Sequence, residues 1–270
     1  MGKTRPAGKW TTSRLQSLKG REKIAALTAY DFSTARLIDD AGLQVILVGD
    51  SLGMTVLGYD STLPVTLEQM LHHTQAVSRG VKHAMVVADM PFLTYQCSLE
   101  QAIDNAGRLL KEGAADAVKV EGGAFRAPTV KALVQNGIAV MGHIGLTPQS
   151  VKAFGGYRVQ GREAADAEQL RADALALQEA GAFSIVLECM PADLSTEITE
   201  SLRIPTIGIG AGPGCDGQIL VVNDMLGLFT DFIPKFVKKY ASLGEDMKRA
   251  FARYVQDVEQ GTFPGPDNWY

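Results

Sequence analysis

Six ionisable side chains stand where short apolar runs end, and their types suit three kinds of chemistry: binding a hard cation, holding an anion and moving a proton. Asp50 follows VILVG, Asp89 follows MVVA, Lys119 and Glu121 lie in AVKVE, His143 follows AVMG, and Glu188 follows SIVL. Asp50, Asp89 and Glu121 would repel one another at neighbouring strand ends unless a cation or shared protons intervened. An oxygen-only set without clustered His or Cys favours Mg2+, which binds through one or two carboxylates plus waters or substrate oxygens. The plain alternative is that each acid caps the helix after it.

Lys119 lies two residues before Glu121 and so shares its strand face. It could hold a substrate carboxylate or phosphate, or close a buried ion pair. His143 reads either as a catalyst or as a hydrogen-bonded structural residue. Glu188 comes after the apolar run Ile185, Val186 and Leu187; such surroundings disfavour a carboxylate and tune it toward a base useful near neutral pH. A solvated strand terminus is the alternative for Glu188.

The elements that must position these groups follow from the apolar pattern. Short Val/Ile/Leu/Ala runs without alternation are typical of strands buried on both faces of a parallel sheet. Eight are expected, over 25–30, 45–50, 85–90, 117–121, 139–143, 184–188, 205–209 and 218–223, with only a Gly-rich loop between the last two. Helical stretches between strands close on Gly42, Gly80, Gly113, Gly137 and Gly181, as expected for left-handed C-caps. Thr66–Gln69 and Ser98–Gln101 read as capping boxes. The pattern predicts an α/β fold, a (β/α)8 TIM barrel, with its chemistry at the strand C-termini. No composition break divides the chain, so residues 1–270 read as one domain. The connections 51–65 and 144–163 are too long to be plain turns and are expected to carry function.

Composition narrows the class. A formal charge of −4 argues against nucleic acid as a partner. Cys97, Cys189 and Cys215 show no CxxC spacing, which argues against a zinc site or a disulfide framework and for a reducing compartment, the cytoplasm. No apolar run is long enough to span a membrane. The basic start (Lys3, Arg5, Lys9, Arg14, Lys19, Arg21, Lys23) lacks an apolar core and reads as a solvated first helix, although a transit peptide shares that composition. The loop GIGAGPG at 208–214 has neither GxGxxG nor a P-loop register and reads as close backbone turns. His72 and His73 are adjacent on a helix, do not face one site, and read as surface or interface residues.

Several ordered stretches together closely resemble the ketopantoate hydroxymethyltransferase family: LTAYD (27–31), VGDSLGM (48–54), GYDSTLPVT (58–66), ADMPF (88–92), VKVEGG (118–123), GHIGLTPQS (142–150), FGGYRVQGR (154–162), LEC-P (187–191), IGIGAG (207–212) and DGQIL (216–220). The resemblance runs from about residue 11 to 265. It implies a Mg2+-dependent, homo-oligomeric barrel of the phosphoenolpyruvate/pyruvate type, typically a decamer. The implied reaction moves a hydroxymethyl group from 5,10-methylenetetrahydrofolate to 3-methyl-2-oxobutanoate, giving 2-dehydropantoate and tetrahydrofolate in pantothenate biosynthesis. Carried over by residue, the metal would sit directly on Asp50 and Asp89, with Glu121 completing the site, itself or through a water. Asp50, Ser51, Asp89, Lys119 and His143 would line the substrate, and Glu188 resembles the proton acceptor. The 144–163 loop, with Lys152, Arg158 and Arg162, is then a plausible lid, whose charges could hold the folate's glutamate tail.

Two rivals are an isocitrate-lyase-like enzyme and a non-catalytic barrel acting as a sensor. The lyases share a KKCGH motif that none of the three cysteines here occupies. A sensor would be expected to lose one or more of Asp50, Asp89, Lys119 and Glu188, and all are present.

Overall fold

The computed structural model describes residues 8–153, 155–229 and 233–270. Lys3 and Arg5 of the basic start, and Phe154 of the FGGYRVQGR stretch, lie outside the described residues. The chain divides into two compact units, residues 1–221 and 222–270.

The first unit holds all eight strands: β1 Ile24–Thr28, β2 Val45–Val48, β3 Met85–Asp89, β4 Ala117–Glu121, β5 Val140–Gly145, β6 Ser184–Glu188, β7 Thr206–Ile209 and β8 Gly217–Leu220. Each pairs parallel with the next, and β8 pairs with β1, closing a barrel. Helices α1 Thr12–Gln16, α2 Phe32–Ala41, α3 Leu52–Thr55, α4 Leu67–Gly80, α5 Leu99–Lys111, α6 Ala127–Gln135, α7 Ala164–Glu179 and α8 Ala192–Ser201 accompany them. The expected (β/α)8 pattern is therefore met. The last strand is shorter than the 218–223 expected, because a helix already begins at Val222.

Period-two alternation sorts the strand residues. Ile24, Ala26, Val45, Leu47, Met85, Val87, Ala117, Met141, Val186, Ile207 and Ile219 form one apolar cluster inside the barrel. One further step up the same faces come Asp89, Lys119, Glu121, His143 and Glu188. The register sets Asp89 beside Lys119 and Glu121 beside His143. Apolar packing below and ionisable groups above is thus one rule applied to β3, β4, β5 and β6.

The first helix is not merely solvated. Leu15 of α1 is 1% exposed and joins the barrel's apolar cluster, with Trp10 and Leu18 packed against it. Burial of that one side chain contributes about 1.5–3 kcal/mol. Around it, Trp10 N–H donates to the His83 carbonyl, Gln16 to the Phe183 carbonyl, and Lys19 to the Thr199 carbonyl and Asp216. His83, Phe183 and Asp216 lie just before β3, β6 and β8, so α1 closes the barrel's lower end.

The helix-end signals held unevenly. Gly42, Gly137 and Gly181 take positive φ as expected, but Gly80 and Gly113 do not. At Gly80 the need is space: a Cβ would lie 2.6 Å from the Phe32 carbonyl oxygen of α2. At Gly113 it would lie 2.4 Å from the Leu109 carbonyl oxygen, and the left-handed residue is Ala114 instead. Thr66 and Gln69 form both bonds of a capping box. Ser98 caps the Gln101 N–H, but Gln101 Oε1 returns no bond.

Asp39, on α2, organises the turn before β3. Its buried carboxylate accepts the N–H groups of Lys82, His83 and Ala84 at 3.0, 3.0 and 2.7 Å. Burial pushes this carboxyl up, but the three donors more than offset that and hold it below its ordinary value. Asp39→Ala should lower stability by about 2–4 kcal/mol, because buried amides lose their acceptor. A depressed acid contributes stability above its unfolded value and loses it as the pH falls through the folded one. In urea unfolding, the gap between wild type and Asp39→Asn should therefore narrow below about pH 4.

The second unit carries α9 Val222–Met225 and α10 Leu243–Glu259. Leu243, Met247, Phe251, Tyr254, Val255 and Val258 recur on one face of α10, and none is buried.

Candidate active site

The five interior-facing ionisable residues converge at the barrel's upper end, and Asp50 joins them from the second position after β2. Asp50, Asp89, Lys119, Glu121 and His143 are each at most 5% exposed. Lys119 Nζ lies 3.1 Å from Asp89 Oδ1, 3.6 Å from Glu121 Oε1 and 2.9 Å from His143 Nδ1. An ammonium has three protons to give, so Lys119 already faces a neighbour for each. The buried-ion-pair alternative thus describes its geometry; an incoming carboxylate would have to share one of those protons.

His143 bridges the cluster. With Lys119 donating to Nδ1, the ring proton belongs on Nε2, which sits 3.2 Å from Glu188 Oε2. Burial, and then Lys119, push this imidazole down, but the adjacent Glu121 and Glu188 carboxylates outweigh them and leave it above its ordinary value. Glu188 is 15% exposed at the side chain and has this polar neighbour as well as the apolar strand behind it.

The carboxylates are the strained part of the cluster. Asp89 Oδ2 accepts the Asp50 N–H at 3.0 Å, while the buried Asp89 Oδ1 and Glu121 Oε1 accept no well-aligned hydrogen bond despite the nearby ammonium. Burial and the neighbouring carboxylates Asp89 and Glu121 push Asp50 well above its ordinary value. Burial also raises Asp89, against the pull of Lys119. Burial pushes Glu121 up, but nearby Lys119 and His143 and the Gln149 N–H overcome it and leave the carboxyl lowered.

That donor set fits a Mg2+ ion held by two carboxylates. Asp50 and Asp89 crowd like charge that a cation would relieve, and Asp89 Oδ1, beside the Lys119 ammonium, still lacks a well-aligned hydrogen bond. Among the described residues no group of three or more His, Cys, Asp or Glu side chains is arranged to hold a metal. The remaining ligands would then be waters or substrate oxygens, as Mg2+ prefers. Glu121 already has one oxygen on the Gln149 N–H and the other beside Lys119 and His143. A supporting place behind the first ligands suits it better than direct ligation.

Ser51 stands at the mouth with its Oγ 2.9 Å from Tyr30 OH. Two residues absent from the sequence-level set belong to the cluster. Gln149, on the turn Pro148–Ser150, donates from Nε2 to Asp50 Oδ2, and Tyr95 OH donates to Gln149 Oε1. A glutamine inside a long loop has no periodicity to betray it; its place in the GHIGLTPQS stretch was the one available signal.

Not every marked residue joins. Asp31, which closes the LTAYD stretch after β1, is exposed and caps α2 through the Thr34 N–H and hydroxyl. His72 is exposed, and His73 Nδ1 contacts the Tyr30 carbonyl at 2.6 Å. The 208–214 loop turns on Gly210 and Gly212, both at positive φ. Lys152, Arg158 and Arg162 are exposed. From the same loop Tyr157 OH reaches Met54 Sδ at 3.7 Å, joining the two long connections.

The backbone around Glu188 is tightly specified. Cys189 has φ 48°, which few residues other than Gly adopt, and is held by the Ile209 carbonyl and the Gln160 N–H. Gly145, at φ 91°, would place a Cβ 2.2 Å from the Glu188 carbonyl oxygen. All three cysteines are free thiols. Burial, and then Glu188, push the Cys189 thiol up to about 12. At pH 8 only about 10⁻⁴ of it is thiolate. Iodoacetamide at that pH, followed by peptide mass spectrometry, should therefore label exposed Cys97 well before Cys189.

A closed parallel barrel with a lysine, a histidine and carboxylates at its upper mouth is a (β/α)8 barrel enzyme. The fold is shared with the crystal structure of 2,3-dimethylmalate lyase, a PEP mutase/isocitrate lyase superfamily member (18% identity, TM-score 0.60, 94% of this chain and 89% of that one). It is also shared with phosphonopyruvate hydrolase in complex with oxalate and Mg++ (14% identity, TM-score 0.60, 95% and 92%). The ketopantoate hydroxymethyltransferase family model matches residues 9–266, and the chain belongs to that family. A curated 3-methyl-2-oxobutanoate hydroxymethyltransferase from Syntrophus aciditrophicus (strain SB) is 59% identical over 96% of both chains. Its namesakes from Clostridium novyi (strain NT) and Enterococcus faecalis (strain ATCC 700802 / V583) are 58% and 57% identical, over 96% and 92% of this chain and 95% and 90% of theirs.

Proposed function

We propose that this enzyme transfers a hydroxymethyl group to 3-methyl-2-oxobutanoate, taking the carbon from 5,10-methylenetetrahydrofolate and using Mg2+, in pantothenate synthesis. The observation that carries the reading is the line from Lys119 through His143 to Glu188, set against Asp50 and Asp89. A 2-oxo acid offers a keto and a carboxylate oxygen side by side. Mg2+, when bound at Asp50 and Asp89, supplies Lewis-acid polarisation of the keto group.

The chain's own groups do the rest. Lys119 and Ser51 orient the carboxylate end of the oxo acid. Glu188 removes the proton from C3, and the electron pair passes into the enolate. His143 Nε2–H holds Glu188 in place. The enolate carbon bonds to the methylene carbon and water supplies its hydroxyl oxygen. Both carbon–nitrogen bonds of that carbon break, and the proton taken by Glu188 and one proton from water end on the two nitrogens of the departing tetrahydrofolate. The 144–163 loop limits water at the mouth until both substrates are present.

We further propose that residues 1–270 work as one barrel domain in a cytoplasmic homo-oligomer, a decamer by family resemblance. The exposed apolar face of α10 supports self-association. No helix among the described residues is long and apolar enough to cross a membrane. The lyase alternative rests on likeness of fold alone. Purified chain given 3-methyl-2-oxobutanoate and 5,10-methylenetetrahydrofolate should release tetrahydrofolate, and EDTA should stop it until Mg2+ is restored. Release that is indifferent to EDTA would remove the metal from the proposal; no release at all would remove the reaction.

A further inference from the structure

Gln149 makes more connections within the cluster than any one role in sequence would predict. Its Nε2 donates to Asp50 Oδ2 and to the Met90 carbonyl, each at 2.9 Å. Its Oε1 accepts from Tyr95 OH at 2.7 Å and from Gln96 Nε2 at 3.1 Å. Its backbone N–H donates to Glu121 Oε2 at 3.1 Å. One residue of the β5–α7 connection thus touches a carboxylate after β2, a carboxylate of β4 and the backbone after β3. It is 5% exposed, so water does not substitute for these partners.

The network also fixes which way the amide points. The Met90 carbonyl and a charged Asp50 both need a donor, whereas the Tyr95 hydroxyl and the Gln96 amide group come as donors. Tyr95 OH in turn receives the Glu121 N–H at 3.2 Å, and its single proton has Gln149 Oε1 at 2.7 Å as its nearer acceptor and the Glu121 carbonyl at 3.3 Å as its farther one. The amide therefore cannot flip without losing several bonds, and its N–H pins one oxygen of Asp50. Groups standing behind a metal ligand orient it in this way.

We propose that Gln149 is a positioning residue that joins the cation-binding carboxylates to the loop over the barrel mouth. It holds Asp50 in one rotamer and anchors the start of the 144–163 connection, so cation binding and loop ordering favour each other. This rests on the Mg2+ reading above, and the test separates the two.

Titration calorimetry with Mg2+ alone compares wild type, Gln149→Met, Tyr95→Phe and Asp50→Asn. Loss of such a supporting group typically weakens metal binding about 10–100-fold. Gln149→Met should fall in that range, Tyr95→Phe should lose less, and the two together should lose less than their separate effects combined, since Tyr95 acts through Gln149. Trypsin gives a readout independent of metal: cleavage after Lys152, Arg158 or Arg162 should speed up in Gln149→Met. Added Mg2+ should slow it in wild type but not in that variant. Should Gln149→Met fold poorly, Tyr95→Phe carries the same two readouts. Normal Mg2+ affinity and normal cleavage in Gln149→Met, with affinity lost in Asp50→Asn, overturns the role of Gln149 alone. A wild-type chain that binds no Mg2+ overturns the metal site and this proposal with it.

Discussion

Glu188→Gln should abolish exchange of the C3 hydrogen of 3-methyl-2-oxobutanoate with D2O, followed by NMR without folate. The replacement keeps the shape and a hydrogen-bonding oxygen for His143 Nε2, now 3.2 Å from Glu188 Oε2, but it cannot take a proton. A positioned base contributes about 10²–10⁴-fold, so turnover should fall by that order while Mg2+ and the oxo acid still bind. His143 is the rival base, since imidazole titrates nearer neutrality. Its geometry argues otherwise. Nδ1 is occupied by Lys119 at 2.9 Å, and the Nε2 proton faces Glu188, so the ring is placed to support a base. His143→Gln should slow exchange without ending it. Wild-type exchange in Glu188→Gln would move the base elsewhere, with His143 the first place to look.

Lys119→Met should cost the fold as well as the reaction. The ammonium is 4% exposed and faces Asp89, Glu121 and His143 within 3.6 Å. Asp89 and Glu121, together with the charge of Asp50, hold its proton more tightly than usual despite burial. Removing one partner of a buried ion pair costs about 3–5 kcal/mol, because the other charges remain without compensation. In a chain of this size that corresponds to a fall of roughly 6–20 °C in melting temperature. Mg2+ should restore more of the loss in the variant than it adds to wild type, as it brings positive charge back to the same carboxylates. An unchanged melting temperature with a weakened oxo acid complex would mean that Lys119 serves the substrate alone.

The barrel could be read from residues because it is made by composition. Buried parallel strands need unbroken Val/Ile/Leu runs, and those runs sit within a few residues of the eight strands found. The same period-two logic placed Lys119 with Glu121. What residue type alone could not do was separate Asp31 from Asp50. Both are aspartates just past a strand, yet one caps α2 and the other is buried among carboxylates. Their difference lies in what arrives from far along the chain: Gln149 lies 99 residues from Asp50. Tyr95 escaped notice for the same reason, as did the close approach that demands glycine at 80. Contacts between distant loops have no local signature.

The helix across the lower end, with Leu15 sealed into the apolar cluster beneath the ionisable layer, makes this barrel a cup and not a tube. On the proposed function, both substrates would arrive and depart through the upper mouth. If the oxo acid reaches the floor beside Asp50 and Lys119, the bulkier folate must settle above it and block its escape. Order of addition is then a property of the architecture: small acid first, carbon donor second, spent folate out before product. Product-inhibition patterns and isotope trapping of the bound oxo acid would reveal that queue, and mutations at the mouth would alter its timing without altering its sequence.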